Sequence, residues 1–174
     1  MMELGHWGLA LALCSGCGSS HVSGQGVTTM TTMTNQILED LPAHHDAIVL
    51  IEVGTENWMM GRIALAIQGS GDVRVTQVRS GVTRTWDATF DALRIGDIGR
   101  QFASDDFTRL QSSGGARQPG DVPVILRITQ GEVRHDATLW HGDRFTSPAL
   151  DRLLTRYDTL VREVSNGLLP YGPL

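Results

Sequence analysis

The stretch 121-DVPVILRITQGEVRHDATLW-140 decides the fold, because it holds the clearest alternation in the chain. Val124, Leu126 and Ile128 fall on one side of its first run, and Val133, Ala137 and Leu139 share a side of its second. Side chains on an extended strand point alternately to opposite faces, so each run presents one apolar face. Gln130-Gly131-Glu132 sits between them, and a short Gly-containing break between two such runs predicts a β-hairpin. One face of that hairpin requires a cover.

The cover comes next in the chain. Ser147 is suited to cap a helix, Pro148 to occupy its first position, and Gly167 to end it. Between them Leu150, Leu153, Leu154, Tyr157, Leu160, Val161 and Val164 recur at helical spacing and form a continuous stripe. Burying each large side chain contributes on the order of 1.5 to 3 kcal/mol before entropy costs, enough to hold the helix across a sheet. Arg152, Arg156, Asp158 and Glu163 lie off the stripe and read as solvated surface charge.

Upstream of the hairpin, four more strands are expected. Ala47–Val53 is an almost unbroken apolar run, as in an interior strand covered on both faces. Segments 61–68, 73–78 and 82–86 follow, separated by Gly69-Ser70-Gly71-Asp72 and Ser80-Gly81. Such short connections imply antiparallel neighbours, hence a meander. Ala92–Ala103 predicts a helix with Leu93, Ile95, Ile98 and Phe102 on its apolar side, although Gly96 and Gly99 each lower its propensity by roughly 1 kcal/mol. Ser104 can cap a further turn through Asp105 and Asp106, with Phe107 and Leu110 facing inward, before the flexible loop at 111–120. The expected architecture is α+β: an antiparallel sheet of about six strands in the order ββββαββα, with its helices packed on one face.

The N-terminus has a different character. Trp7–Leu13 is apolar apart from Gly8, far shorter than the roughly 20 residues of a membrane-spanning helix but the length of a signal-peptide core. Ser15, Gly16 and Cys17 follow, and this segment resembles the export signal of a bacterial lipoprotein. The resemblance implies cleavage before Cys17, acylation of its sulfur, and a mature chain held to a membrane of the cell envelope. Cys14 follows the bulky Leu13 and fits the pattern less well. The competing reading is a CxxC redox or metal pair, which lacks here the second ligand pair a zinc site requires. In size and strand–helix order the body resembles small domains found in bacterial lipoproteins.

This organises the chain into a signal at 1–17, a flexible tether with a possible short helix at 18–46, one folded domain at 47–167 and a tail at 168–174. Within the tether, the low-complexity run from Val27 to Thr34 shows no apolar period that could build a core. A short helix over Asn35–Leu41, capped by Thr34 and ended by Pro42, is the most it predicts.

Composition narrows the chemistry. The net charge is -5, the 19 acidic residues face 14 basic ones that are all Arg, and no basic stripe is visible, so nucleic acid is not expected as a partner. Both Cys residues precede the folded domain, which leaves it no thiol nucleophile. G-x-S-x-G, GxxxxGK[ST], strand-following G-x-G-x-x-G and HExxH patterns are all missing. His44, His45 and Asp46 are consecutive, and neighbours on an extended chain cannot converge on one ion. His135, His141 and Asp143 form the remaining polar cluster, with His135 sharing the parity of Val133 and Ala137 and Asp136 pointing to the opposite face. A hydrogen-bonded core or edge histidine is the expected role of His135, with a metal or acid–base site as the alternative.

Trp58, Met59 and Met60 occupy a connection between strands. Packing favours Trp58 folding back over one end of the core; otherwise this loop is the first candidate for a partner-facing surface. The function expected from these features is a non-enzymatic binding or scaffold module of the cell envelope. It would be anchored through a lipid on Cys17, would need no cofactor, and would engage an envelope protein or ligand. The alternative is a periplasmic hydrolase or metal-binding protein using His135, His141 and Asp143.

Overall fold

A computed structural model describes residues 25–114 and 120–167. The segment expected to be an export signal, with Cys14 and Cys17, and the tail at 168–174 lie outside the described residues. The elements are α1 (Gln25–Glu39), β1 (Ile48–Val53), β2 (Arg62–Gln68), β3 (Asp72–Arg79), β4 (Val82–Thr89), α2 (Ala92–Ser104), β5 (Pro123–Gln130), β6 (Val133–Trp140) and α3 (Pro148–Ser165). The six strands form one antiparallel sheet in the order β4-β3-β2-β1-β5-β6. The expected α+β architecture and the ββββαββα succession are present, preceded by α1.

The hairpin of β5 and β6 has the register that alternation dictates. Val124 faces Leu139, Leu126 faces Ala137 and Ile128 faces His135, so the apolar residues of both strands share one side. On that side Val49, Ile51, Val53, Ile63, Leu65 and Ile67 of β1 and β2 are also almost completely buried. All seven stripe residues of α3 are buried, but α3 lies over β2, β3 and β4 rather than over the hairpin it was expected to cover, and it is α1 that packs on β6. Ser147 accepts a hydrogen bond from the Leu150 amide, while Asn166 takes the left-handed conformation that stops the helix before Gly167. The Tyr157 hydroxyl donates to the Ile63 carbonyl at 2.9 Å, which satisfies the one polar group of the stripe inside the core.

The segment expected to be a tether is instead a docked helix. Residues 25–39 form α1, in which Thr34 is interior rather than a cap and donates its hydroxyl to the Met30 carbonyl at 2.8 Å. Ile37, Leu38 and, in the 3-10 turn Leu41–Ala43, Leu41 belong to the core. The docking surface is supplied by α2. A Cβ on Gly99 would stand 2.2 Å from the Leu38 carbonyl oxygen, so only glycine lets the two backbones approach this closely. The two glycines that lower the propensity of α2 therefore leave it a full 13 residues long and open its surface to a neighbour.

Three further expectations require correction. Leu93 is not on the apolar side of α2 but is 79% exposed, because the helix turns Ile95, Ile98 and Phe102 inward. Ser104 does not cap a new turn; its hydroxyl donates to the Gln101 carbonyl, and the 3-10 turn Phe107–Arg109 is entered through Asp106 in the left-handed conformation. The charges of α3 are not idle surface. Arg152 and Arg156 both bind the buried Asp105 carboxylate at the end of α2, Arg156 also donates to Gln101, and Glu163 pairs with Arg94 at 2.8 Å. These contacts bind antiparallel α2 and α3 at both ends.

Candidate functional site

All three helices lie on one side of the sheet, so β1 is central within its sheet but is covered on one face only. Its burial alternates, with Val49, Ile51 and Val53 buried while Ile48, Leu50 and Glu52 face outward. A solvated antiparallel face is normally polar. Here its centre is mostly apolar: Ile48 and Leu50 of β1, Ala64 and Ala66 of β2 and Ile125 of β5 share it, with Ile48 37% exposed and the other four half-buried, and Glu52 of β1 stands as the one charge between Ala64 and Ile125.

Charge flanks this apolar floor symmetrically. The strand register sets Asp87, Arg74, Ala66, Leu50, Arg127 and Asp136 in one row across all six strands. Arg74 Nε meets Asp87 Oδ1 at 2.6 Å on one flank, and Arg127 Nε meets Asp136 Oδ1 at 2.5 Å on the other. Arg134 also binds Asp136, and this hydrogen bond, ahead of the cost of burial and the further contribution of Arg127, holds the Asp136 carboxyl below the usual carboxylate range. Exposed pairs of this kind contribute about 0 to 1 kcal/mol to stability. Their effect on the surface is larger: they keep four charges fixed around an apolar strip, and the row of Thr76 and Thr85 beside them adds hydroxyls.

The Trp58 loop joins β1 to β2 at one end of the sheet. Gly54, with φ 98°, lets the β1–β2 connection pinch, and a Cβ there would lie 2.5 Å from the Gly61 carbonyl oxygen and 3.0 Å from the Trp58 ring. Trp58 is half-buried against that pinch but is not among the side chains packed on the core, so it does not form the lid over the core that packing favoured, and Met59 is 72% exposed. Met60 is half-buried and its carbonyl accepts from the buried Gln77 side chain at 2.8 Å, a tether the sequence reading did not find. Arg62, at the foot of β2, lies 3.8 Å from Glu52 and 3.7 Å from Glu56. A cleft lined by Thr55, Asn57, Trp58, Gly120, Asp121, Val122 and Pro123 separates this loop from the start of β5.

His135, His141 and Asp143 are not brought together. Six residues of extended chain put His135 and His141 about 20 Å apart. His135 faces the helices, its ring 6.3 Å from that of Phe107, and its Nε2 is buried without a hydrogen-bond partner among the described residues. Burial lowers its pKa against the opposing pull of the Asp136 charge and a backbone hydrogen bond to Phe107. His141 begins the 3-10 turn at 141–145, where Arg144 Nη1 lies 3.2 Å from its Nε2; burial and then the Arg144 charge lower its pKa, against Asp151. Asp143 accepts from the Trp140 amide at 3.0 Å and from the Ser113 hydroxyl, which pins the preceding loop to the end of β6. Among the described residues no three His, Cys, Asp or Glu side chains are placed to hold a metal ion. His44 and Asp46, at the opposite end of the sheet, are bridged by the Gln130 amide instead.

No helix among the described residues is long and apolar enough to cross a membrane. No protein-family model matches the sequence, and no curated protein matches it.

Proposed function

We propose that this chain is a non-catalytic binding module of the cell envelope, held to a membrane by a lipid on Cys17, whose working surface is the open face of the sheet. The observation that carries the reading is the apolar strip of Ile48, Leu50, Ala64, Ala66 and Ile125 on the face without helices. Apolar side chains in the middle of a solvated sheet gain free energy when a partner removes them from water, at about 25 cal/mol per Å² covered. The flanking Arg–Asp pairs favour one orientation of that partner over others by charge complementarity. The strip borders a cavity of about 550 Å³ lined by Ile48, Ala66, Arg74 and Asp87 that is open along the sheet, a shape suited to a protruding side chain of a protein partner rather than to an enclosed small molecule. Met59, exposed at the end of the same sheet, extends the surface with an adaptable side chain.

Two measurements test the reading separately. Mass spectrometry of the protein from membranes is expected to find an acylated N-terminal peptide starting at Cys17; an unmodified chain in the soluble fraction would sink the anchor. A photo-crosslinking amino acid in place of Thr76, on the open face, is expected to capture a membrane-fraction protein, whereas the same group at Thr155, on the exposed side of α3, is not. Ala66→Arg on the Thr76 probe is expected to abolish that capture with the circular dichroism spectrum unchanged. Equal capture from both positions, or capture insensitive to Ala66→Arg, would remove the open face from the account.

A further inference from the structure

The two edges of the sheet are finished differently. At β6 the chain covers its own edge: the Ser113 amide donates to the Thr138 carbonyl at 2.9 Å, and the Ser112 hydroxyl accepts from the Thr138 amide at 2.9 Å. At β4, no element among the described residues pairs with the outer edge. Natural sheets guard such edges with charged side chains, Pro, bulges or very short strands. β4 has no Pro and no bulge and is not short; of its two charges Asp87 is paired with Arg74, which leaves Arg84. The strand runs eight residues, VTRTWDAT, in an unbroken register with β3.

The hairpin turn fixes which groups point outward. Ser80 and Gly81 both have positive φ, as a two-residue type I′ turn requires, and Arg79 and Val82 close it as a hydrogen-bonded pair. Hydrogen-bonded pairs then recur at every second residue, in phase with the Phe90 amide donating to the Gly71 carbonyl at 2.9 Å. Arg84, Trp86 and Ala88 therefore bond inward to β3. Thr83, Thr85, Asp87 and Thr89 aim their amides and carbonyls at the open edge.

We propose that β4 pairs antiparallel with β4 of a second copy about a two-fold axis through Thr85, joining two sheets into one of twelve strands. Like-sided residues must oppose each other, which leaves three central registers. Centring on Arg84 would set like charges opposite, and centring on Trp86 would leave Arg84 beside Ala88. Centring on Thr85 places Arg84 against the partner's Trp86 twice, on the helix side, and Thr83 against the partner's Asp87 twice, on the open side. Arg84 is exposed and makes no ion pair among the described residues, and Trp86 is half-buried, so the guanidinium and the indole are both accessible for a cation–π contact. Val82, 58% exposed, gains cover from the partner's Ala88. The two-fold is perpendicular to the sheet, so both open faces end up on one side. This pairing does not depend on the envelope reading.

The test uses the full chain under reducing conditions. Light scattering across about 1 to 100 µM, the range of a moderate association, is expected to show twice the chain mass at the top. Thr85→Pro removes an outward amide and leaves the β3 ladder intact, so it is expected to give a monomer with an unchanged spectrum and melting temperature. Arg84→Ala should weaken association about tenfold through its two lost contacts. Should Thr85→Pro fail to fold, hydrogen exchange on the unaltered protein decides: amides of Thr83, Thr85 and Asp87 must slow as concentration rises. A chain monomeric throughout, a folded Thr85→Pro dimer, or concentration-independent exchange at those three amides would overturn the proposal.

Discussion

Asp158 shows how a single residue on α3 responds to where the fold puts it. It is half-buried and its Oδ1 has no hydrogen-bond partner among the described residues. Burial raises its pKa from the ordinary 3.8 to about 6, against the opposing charges of Arg144 and Arg162. A carboxyl that binds its proton more tightly when folded favours folding fully below pH 3.8, and that stability is lost as pH climbs to about 6. At about 1.4 kcal/mol per pKa unit the loss would approach 3 kcal/mol, and solvent at a half-buried site reduces it to about 1 to 2 kcal/mol. Asp158→Asn is accordingly expected to stabilise the protein by about 1 kcal/mol at pH 7.5 and to change nothing at pH 3.5, read from urea midpoints. Destabilisation at pH 7.5 would mean that Arg144 and Arg162 outweigh burial. Asp105 makes the opposite case, a buried carboxylate fully engaged by Arg152 and Arg156. Asp105→Ala leaves both guanidiniums without their partner and should cost about 2 to 3 kcal/mol, the lower part of the range for a broken buried pair because both arginines can turn toward water. A urea-derived loss under about 1 kcal/mol would show that the pair does not hold α2 to α3. Neither role could be read from the sequence. The partners of Asp105 lie 47 and 51 residues further along, and the helical wheel of α3 places those arginines off the apolar stripe, where water was the expected neighbour.

At the scale of elements, the hairpin of β5 and β6 and the helix α3 were legible because their signals are local. Period-two alternation around Gly131, and a cap, a proline and a stripe in one helix, depend only on residues a few positions apart. Only the end of α1 was legible, as the short helix expected from Asn35; its Thr-rich start and its docking were not, since that sequence has modest propensity and the fit depends on glycines some 60 residues later. The unbroken apolar run of β1 was read correctly as central and incorrectly as covered twice, because the pattern reports a demand for cover and not whether this chain supplies it. The glycines of α2 offer a paired test. Gly99→Ala would drive a Cβ into the Leu38 carbonyl at 2.2 Å, and is expected to cost about 2 to 3 kcal/mol despite gaining up to about 1 kcal/mol of helix propensity. Gly96→Ala meets first the flexible end of Arg100 at 3.1 Å and is expected to be neutral or mildly stabilising. Thermal melts of the two variants, with limited proteolysis of α1, distinguish these outcomes; equal effects would mean that α1 is not seated on Gly99.

For the molecule as a whole, the candidate His135, His141 and Asp143 cluster failed because alternation and strand length separate its members, a geometry that parity alone had only half revealed. The open face was hidden for a converse reason: its residues come from strands far apart in sequence, and only the register brings Arg74, Ala66, Leu50 and Arg127 into one row. The docking of α1 also changes how such a body would sit at a bilayer. A chain acylated at Cys17 would reach Gln25, where α1 begins, through seven intervening residues, a leash no longer than about 29 Å even when pulled straight. Residues 18–46 as a free leash would have spanned about 100 Å. On the proposed lipid anchor, such a short leash would confine the domain to a thin shell beside the lipid, so a partner would meet it at high local concentration within that shell and be out of range a few nanometres beyond it.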